Sequence, residues 1–235
     1  MKVIKLFLFL SIPFFAASPA NAQSFSKGDV IANVNIGTPH LYRNIVRLAT
    51  RTEAFKSAFS GTLEVSSVTG LNPIAIKGEL GINEYFGIGL SACSWNMKID
   101  VKDYYNIQRA GQIIGTDEID IYKFKITSSS IGIRPNFHFP FEKRNNDLYI
   151  GCAFGITKNR LQVDFTSTDI NKVFPDLKYD FSLPGGFYIA PSLGYRHYFG
   201  EFIGFNLELG YEKGAILQGG IVARINVSKN KPADK

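Results

Sequence analysis

Cysteine, histidine and tryptophan are scarce in this chain, with 2, 3 and 1 in 235 residues. Two cysteines make at most one bridge, which excludes a disulfide-stapled mini-protein. The three histidines, His40, His138 and His197, have no zinc-ligand spacing, and no phosphate-cradling glycine loop or nucleophile elbow is present. Excess charge of one sign is also small. Twenty-six basic residues against 20 acidic give +6, too modest to single out nucleic acid as a partner. After residue 22 no uncharged apolar stretch reaches the ~18 residues of a membrane-spanning helix. The best run, from Phe181 to Tyr195, is interrupted by Pro184, Gly185, Gly186 and Pro191. Apolar residues themselves are not scarce. At 45% hydrophobic and 14% aromatic the chain is no disordered polymer. Its mean hydropathy of +0.00 is that of an ordinary soluble protein.

The first 22 residues read as a cleaved secretory signal peptide. Lys2 and Lys5 precede an apolar run from Leu6 to Ala17, and Ala20-Asn21-Ala22 supplies the small-residue cleavage pattern. No cysteine follows, so a lipid anchor is not expected. The expected organisation is a signal peptide over 1–22, a single β domain over 23–228 and a polar tail over 229–235.

Period-two alternation dominates the remainder. Apolar residues recur at Val30, Ala32, Val34 and Ile36, then at Ile74, Ile76, Leu80 and Ile82, and at Phe86, Ile88, Leu90 and Ala92. Five further segments behave alike: 130–139, 148–157, 187–196, 203–211 and 217–227. That makes eight candidate strands. Connections after the second, fourth and sixth are short. Those after the first, third and fifth are long, and only Glu212 to Ala215 is brief at that end. Short turns at one end and long loops at the other describe a barrel of the outer-membrane type. Pro135 and Pro191 are awkward inside strands, since each removes a ladder donor.

The faces can be assigned. A water-filling lipocalin-like barrel would carry long polar side chains outside. Here the polar face is instead rich in Gly, Ala, Ser and Asn, which suits the narrow interior of an eight-stranded barrel. The strand-borne charges Lys77, Glu79, Arg134, Arg196, Glu208 and Arg224 all fall on that small-residue face. A Lys or Arg on a lipid face costs ~2–4 kcal/mol near the midplane. In the interior the same groups can pair. Glu79 and Glu208 are therefore expected to pair with Lys77, Arg134, Arg196 and Arg224 as a structural charge network. An ion or proton path is the alternative role for those charges.

The strand opened by Lys27-Gly28-Asp29, the run Ile76-Lys77-Gly78-Glu79-Leu80-Gly81 leading to Asn83-Glu84-Tyr85-Phe86-Gly87-Ile88-Gly89, and Leu207-Glu208-Leu209-Gly210-Tyr211 carry a family resemblance. Over nearly all of the chain after residue 22, the sequence resembles the small eight-stranded OmpA/OmpX-type outer-membrane barrels, particularly those of Bacteroidetes-type bacteria. The resemblance implies an all-β fold, an antiparallel up-and-down transmembrane barrel with long extracellular loops. It implies a place in the outer membrane, contact with its lipid and lipopolysaccharide, and handling by periplasmic chaperones and the barrel assembly machinery. No cofactor, metal or nucleic acid is expected. The chain departs from the family in one respect. Such barrels usually end on an aromatic that aids assembly, whereas here the last strand ends Ile225-Asn226-Val227.

Three strands change phase towards the loop end. Apolar residues move to Trp95, Met97, Ile99 and Val101, to Tyr122, Phe124 and Ile126, and to Leu161, Val163 and Phe165. A β-bulge is the usual cause of such a slip, so bulges are expected near Ser94, Thr127–Ser130 and Lys158. The third, fourth and fifth candidate strands would then project as an extracellular sheet, its edge open to a partner strand. In the first long loop Arg43, Arg47 and Arg51 recur every four residues. The apolar stripe opposite is irregular, which favours a solvated loop with a helical turn or two over an amphipathic surface segment. Cys93 and Cys152 fall on non-neighbouring strands with different facings and read as free thiols. His138 and His197 lie at the short-turn end, and His40 has no evident carboxylate and hydroxyl beside it. No catalytic constellation emerges. The expected role is a structural or surface-interaction barrel, with a narrow pore as the alternative. A lipid A-modifying enzyme or a soluble ligand-binding barrel is less favoured.

Overall fold

Eight strands close into a ring, and a ninth lengthens it on one side. The computed structural model describes residues 25–52, 55, 63–109, 112–141, 145–167 and 177–226, without the side chains of 105–109, 112–119 and 167. The proposed signal peptide and the tail 229–235 lie outside the described residues. The elements are β1 (Asp29–Thr38), α1 (Leu41–Ala49), β2 (Leu63–Thr69), β3 (Ile74–Gly81), β4 (Phe86–Arg109), β5 (Gln112–Phe139), β6 (Asn146–Ser167), β7 (Leu177–Tyr198), β8 (Ile203–Glu212) and β9 (Ala215–Asn226). Every pairing is antiparallel and between chain neighbours, except that β1 joins β3 on one side and β9 on the other and that β2 joins β4. Val30 thus faces Leu80 across one ladder and Ile225 across the other. The extra strand β2 pairs only with the upper part of β4, above β3.

Alternation decides what each strand shows. On β9, Ile221 is 69% exposed and Val222 beside it 0%. β1 and β3 alternate the same way along their whole length. In the lower barrel the outward belt carries Val34, Ile36, Ile76, Leu90, Ile131, Ile156, Phe187 and Leu209, all exposed. The interior carries the polar and charged side chains. Towards the long-loop end β4, β5, β6 and β7 run on well past β1, β8 and β9, and with β2 they form an upper five-stranded sheet.

Here two predicted bulges are overturned. The β4–β5 register runs unbroken from Phe86↔Phe137 to Tyr105↔Glu118, through Ser94 and through Thr127–Ser130. Ser91, Cys93, Trp95 and Met97 are all buried on one continuous face. The backbone does not turn over; the two faces exchange character. Below, the outer face is apolar and the inner face charged. Above, the inner face packs Val68, Trp95 and Met97 against Val46, Val65, Ile99 and Ile126. The outer face there shows Lys98, Lys123, Lys158 and Arg160. Arg160 forks onto Asp180 across that exposed face. The third irregularity is present: the β6–β7 register shifts between Thr157 and Asn159, whose partners Gly186 and Leu183 leave one residue extra on β7.

The edges of the upper sheet also differ from expectation. The third and fifth candidate strands, here β4 and β6, are covered by β2 and β7. The β7–β8 ladder stops at Ser192↔Gly210, so the edge without β8 is that of upper β7. The prolines fit these limits. Pro191 stands one residue above that ladder, and Pro135 falls in a gap of the β5–β6 ladder between Ile133↔Phe154 and Asn136↔Gly151. Each therefore sits where no donor is required.

Arg43 and Arg47 are ordered rather than solvated. Arg43 donates to the Gly70 carbonyl at 2.8 Å and to Asn72 Oδ1 at 2.9 Å, and Arg47 to the Val68 carbonyl at 2.9 Å. These bonds hold α1 against the end of β2. The remainder of that loop, 53–54 and 56–62, lies outside the described residues.

Candidate functional site

The lumen charges assemble into two clusters. In the upper one Glu208 of β8 takes Lys77 Nζ on Oε2 at 2.7 Å and both Arg134 amino groups, Nη1 on Oε1 at 3.2 Å and Nη2 on Oε2 at 2.8 Å. Tyr149 also donates to Glu208 Oε1, at 2.8 Å. Lys77 reaches a second carboxylate, Glu212, at 2.7 Å, and Gln218 Oε1 at 3.0 Å. In the lower cluster Arg196 bridges Glu79 at 2.6 Å and Asp147 at 3.1 Å. His138 spans the same two carboxylates, Nε2 to Glu79 at 2.6 Å and Nδ1 to Asp147 at 2.8 Å. Both ring nitrogens can donate only in the imidazolium form. In that form each cluster holds two cations and two carboxylates.

Tyr149 joins the clusters. It is fully buried, and Arg196 lies over its ring at 4.0 Å from the centroid. Room for the ring comes from Gly194 on the adjacent strand. A Cβ there would stand 2.1 Å from Tyr149 Cζ. Gly87 similarly clears Glu79, whose Oε1 would lie 2.2 Å from a Cβ. The small residues of the inner face are thus the space into which long charged side chains fold. These side chains are almost wholly removed from solvent, with Glu208 1% and Arg196 1% exposed. Buried charges need partners of this kind, because an unpartnered charge costs several kcal/mol. Within the clusters Arg196 Nε and Glu212 Oε1 have no hydrogen-bond partner among the described residues.

Below the lower cluster the chain closes on itself. Phe25 stacks on His138 with centroids 3.5 Å apart and planes 6° from parallel, and packs with Ile31, Tyr198 and Val222. Gly28 N donates to the Gly81 carbonyl at 2.9 Å, holding this segment across the short-turn end.

Of the six expected network residues, Lys77, Arg134 and Glu208 share the upper cluster and Glu79 and Arg196 the lower. Arg224 belongs to neither. Its guanidinium lies 3.9 Å from the Tyr198 centroid, and its Nε donates to the Glu201 carbonyl at 3.4 Å. Sequence reasoning missed His138, Asp147, Tyr149 and Glu212. Parity held the signal for two of them. His138 stands four residues after Arg134 on one strand face, and Tyr149 falls on the small-residue face of its own strand. Asp147 and Glu212 lie at strand ends, where alternation gives no warning. Cys93 and Cys152 are free, Cys93 buried and Cys152 half-buried, with β5 between their strands.

No family model matches the sequence, and no curated protein matches it. Among solved structures, OprG, an outer membrane protein of Pseudomonas aeruginosa, is similar at 11% identity with a TM-score of 0.44, over 86% of this chain and 98% of that one. Ail, the attachment invasion locus protein of Yersinia pestis, is similar at 12% identity and a TM-score of 0.34, over 85% and 99%. Ail in complex with the heparin analogue sucrose octasulfate gives 8% identity and 0.38, over 85% and 99%. Likeness at this level carries no argument about the role of this chain, which rests on its own geometry.

Proposed function

We propose that the chain is an integral outer-membrane β-barrel with a closed lumen and a structural or surface-interaction role. One observation carries this reading: the lower barrel is inside-out relative to a water-soluble protein. Its outer face is a continuous belt of exposed Ile, Leu, Val and Phe, and its inner face holds paired charges. Monomeric soluble proteins rarely expose such an apolar belt. A closed ring satisfies every backbone group within itself, which is what hydrocarbon demands of strands. Among the described residues no helix is long and apolar enough to cross a membrane, and it is the exposed apolar belt on the strands that supports a crossing by strands.

The short turns then face the periplasm and the upper sheet faces outwards. Export follows from the pattern of residues 1–22. Outer-membrane lipid, lipopolysaccharide and the assembly machinery are the partners this placement brings. Kinship with the Bacteroidetes-type barrels is the finer form of the same reading. The two charge clusters and Phe25 fill the bore, so the barrel is a display scaffold rather than a pore, and no catalytic role is assigned to it. Alkaline carbonate and a planar bilayer test this. The chain should resist carbonate extraction, migrate on a denaturing gel according to whether it was heated, and give no steady conductance. Release by carbonate would overturn the membrane reading. Steady unit openings would replace the scaffold with the narrow pore.

A further inference from the structure

Above the charge clusters, α1 and the walls of β4 to β7 line an open cavity of about 490 Å³, within the range of small-molecule sites. Its lining is largely apolar, with Ile45 of α1, Trp95 and Met97 of β4, Ile126 of β5 and Leu183 of β7. At its floor lies Lys213, in the β8–β9 turn, at the level where β7 parts from β8. This lysine is placed against local preference. Its φ is 53° and that of Gly214 84°. Tight hairpin turns with two positive φ values favour Asn, Asp or Gly at the first position. The turn alone therefore gives no reason for a lysine.

The side chain reaches across the lumen instead. Its Nζ donates to Thr157 Oγ1 at 2.6 Å on β6 and to Ser128 Oγ at 3.2 Å on β5. Both partners are neutral. The neighbouring carboxylate, Glu212, is engaged by Lys77 and Gln218 through its Oε2, and its buried Oε1 has no hydrogen-bond partner among the described residues. Partial burial lowers the Lys213 pKa, the effect of holding an ammonium where solvation is poor. One polar group in the lining has no hydrogen-bond partner among the described residues: the buried indole N–H of Trp95.

We propose that this cavity binds a single-chain carboxylate amphiphile, its head group on Lys213 and its alkyl chain along Trp95, Met97, Ile126 and Leu183. The charge supplies the choice of head group. A carboxylate completes the ammonium's shell beside the two hydroxyls, whereas a cationic head meets Lys213 as a like charge. The apolar walls supply the choice of tail.

Trp95 is the only tryptophan, so its fluorescence reports on the cavity directly. The full chain in lipid nanodiscs is titrated with 11-bromoundecanoate, whose bromine quenches indole on contact. Quenching should saturate, and Lys213→Asn should raise the Kd by about tenfold or more, the scale of one lost charge-assisted hydrogen bond. Asparagine tolerates the positive φ, and Lys213→Arg should keep wild-type binding. The wild-type protein should bind a bromoalkyl trimethylammonium of equal length at least about tenfold more weakly. Linear, unsaturable quenching, or equal binding by Lys213→Asn, overturns the site. Equal binding of the cation overturns the carboxylate assignment, and decides the matter without any variant should Lys213→Asn fail to fold. Heat-modifiable migration of each sample reads the barrel separately, so a failed barrel and a failed site give different results.

Discussion

Replacing Glu208 by glutamine should be among the most damaging conservative changes this chain can suffer. The side chain keeps its shape and can still accept from Tyr149 and Asn206. What disappears is one negative charge at the meeting point of two cations. Lys77 retains Glu212 at 2.7 Å. Arg134 loses its contact to Oε2 and the opposing charge, and keeps the retained oxygen at 3.2 Å, Asn136 at 3.1 Å and Ser192 at 2.7 Å, all neutral. The upper cluster then holds two cations against one carboxylate, with Arg134 only 3% exposed. Breaking a buried pair from one side costs about 3–5 kcal/mol. With a urea dependence of ~3 kcal/mol per M for a chain of this size, the unfolding midpoint should fall by roughly 1–2 M. Urea titration in lipid vesicles, followed by heat-modifiable migration, reads this. Glu201→Gln on the exposed turn is the control and should move by no more than about 0.5 kcal/mol. Adding Lys77→Met to Glu208→Gln leaves one cation and one carboxylate and should recover part of the loss. A Glu208→Gln midpoint equal to that of Glu201→Gln would refute the claim that the network holds the barrel.

Four further outcomes are expected. Gly194→Ala should drive a methyl into Tyr149 and cost about 1–3 kcal/mol in the same titration, with Gly194→Ala/Tyr149→Leu regaining part of it. Ile221→Arg, on the exposed belt, should cost ~2–4 kcal/mol in vesicles if that belt faces lipid near the midplane, and far less if it faces water. Arg47→Ala removes the bond from α1 to the Val68 carbonyl, so acrylamide should quench Trp95 more strongly, while Arg51→Ala should leave quenching unchanged. A membrane-permeant maleimide should label Cys152 in the folded barrel and reach Cys93 only after unfolding, because Cys93 is 4% exposed and inward-facing.

Strand positions and facings were legible because the period of two is enforced by two unlike faces, and a one-residue slip would exchange them all. Lys77, Glu79, Arg134, Arg196 and Glu208 could be placed inside from parity alone, since each shares its strand face with small residues. Their pairing pattern was not legible. Which cation meets which carboxylate depends on bringing β3, β5, β7 and β8 around a ring, and Arg224 shows how a correct facing can still give the wrong partner. The phase changes at Trp95 and Ile126 are legible as patterns but are not bulges, whereas the irregularity expected near Lys158 is present, with its extra residue on β7. Alternation reports which side is apolar, not which side is inside. On the membrane reading proposed above, the outer surroundings pass from apolar to aqueous along one straight strand, and the pattern inverts while the ladder register runs on unbroken. The helix α1 was obscured for a different reason: its arginines are held by carbonyls of β2, contacts that leave no periodic trace.

That unbroken passage has a mechanical consequence. β5 runs for 28 residues and β4 for 24, more than twice the 9–11 that a tilted strand needs to cross a bilayer. The hydrogen-bonded ladder between them continues through the level at which the faces exchange roles. The outer sheet therefore has no flexible neck at which to swivel. Its heading is fixed by the tilt of the barrel staves beneath it, and a push on its far end is a torque on the barrel. On the membrane reading proposed above, the sheet is a stiff vane at a set angle, and a load on it passes to the lipid around the barrel.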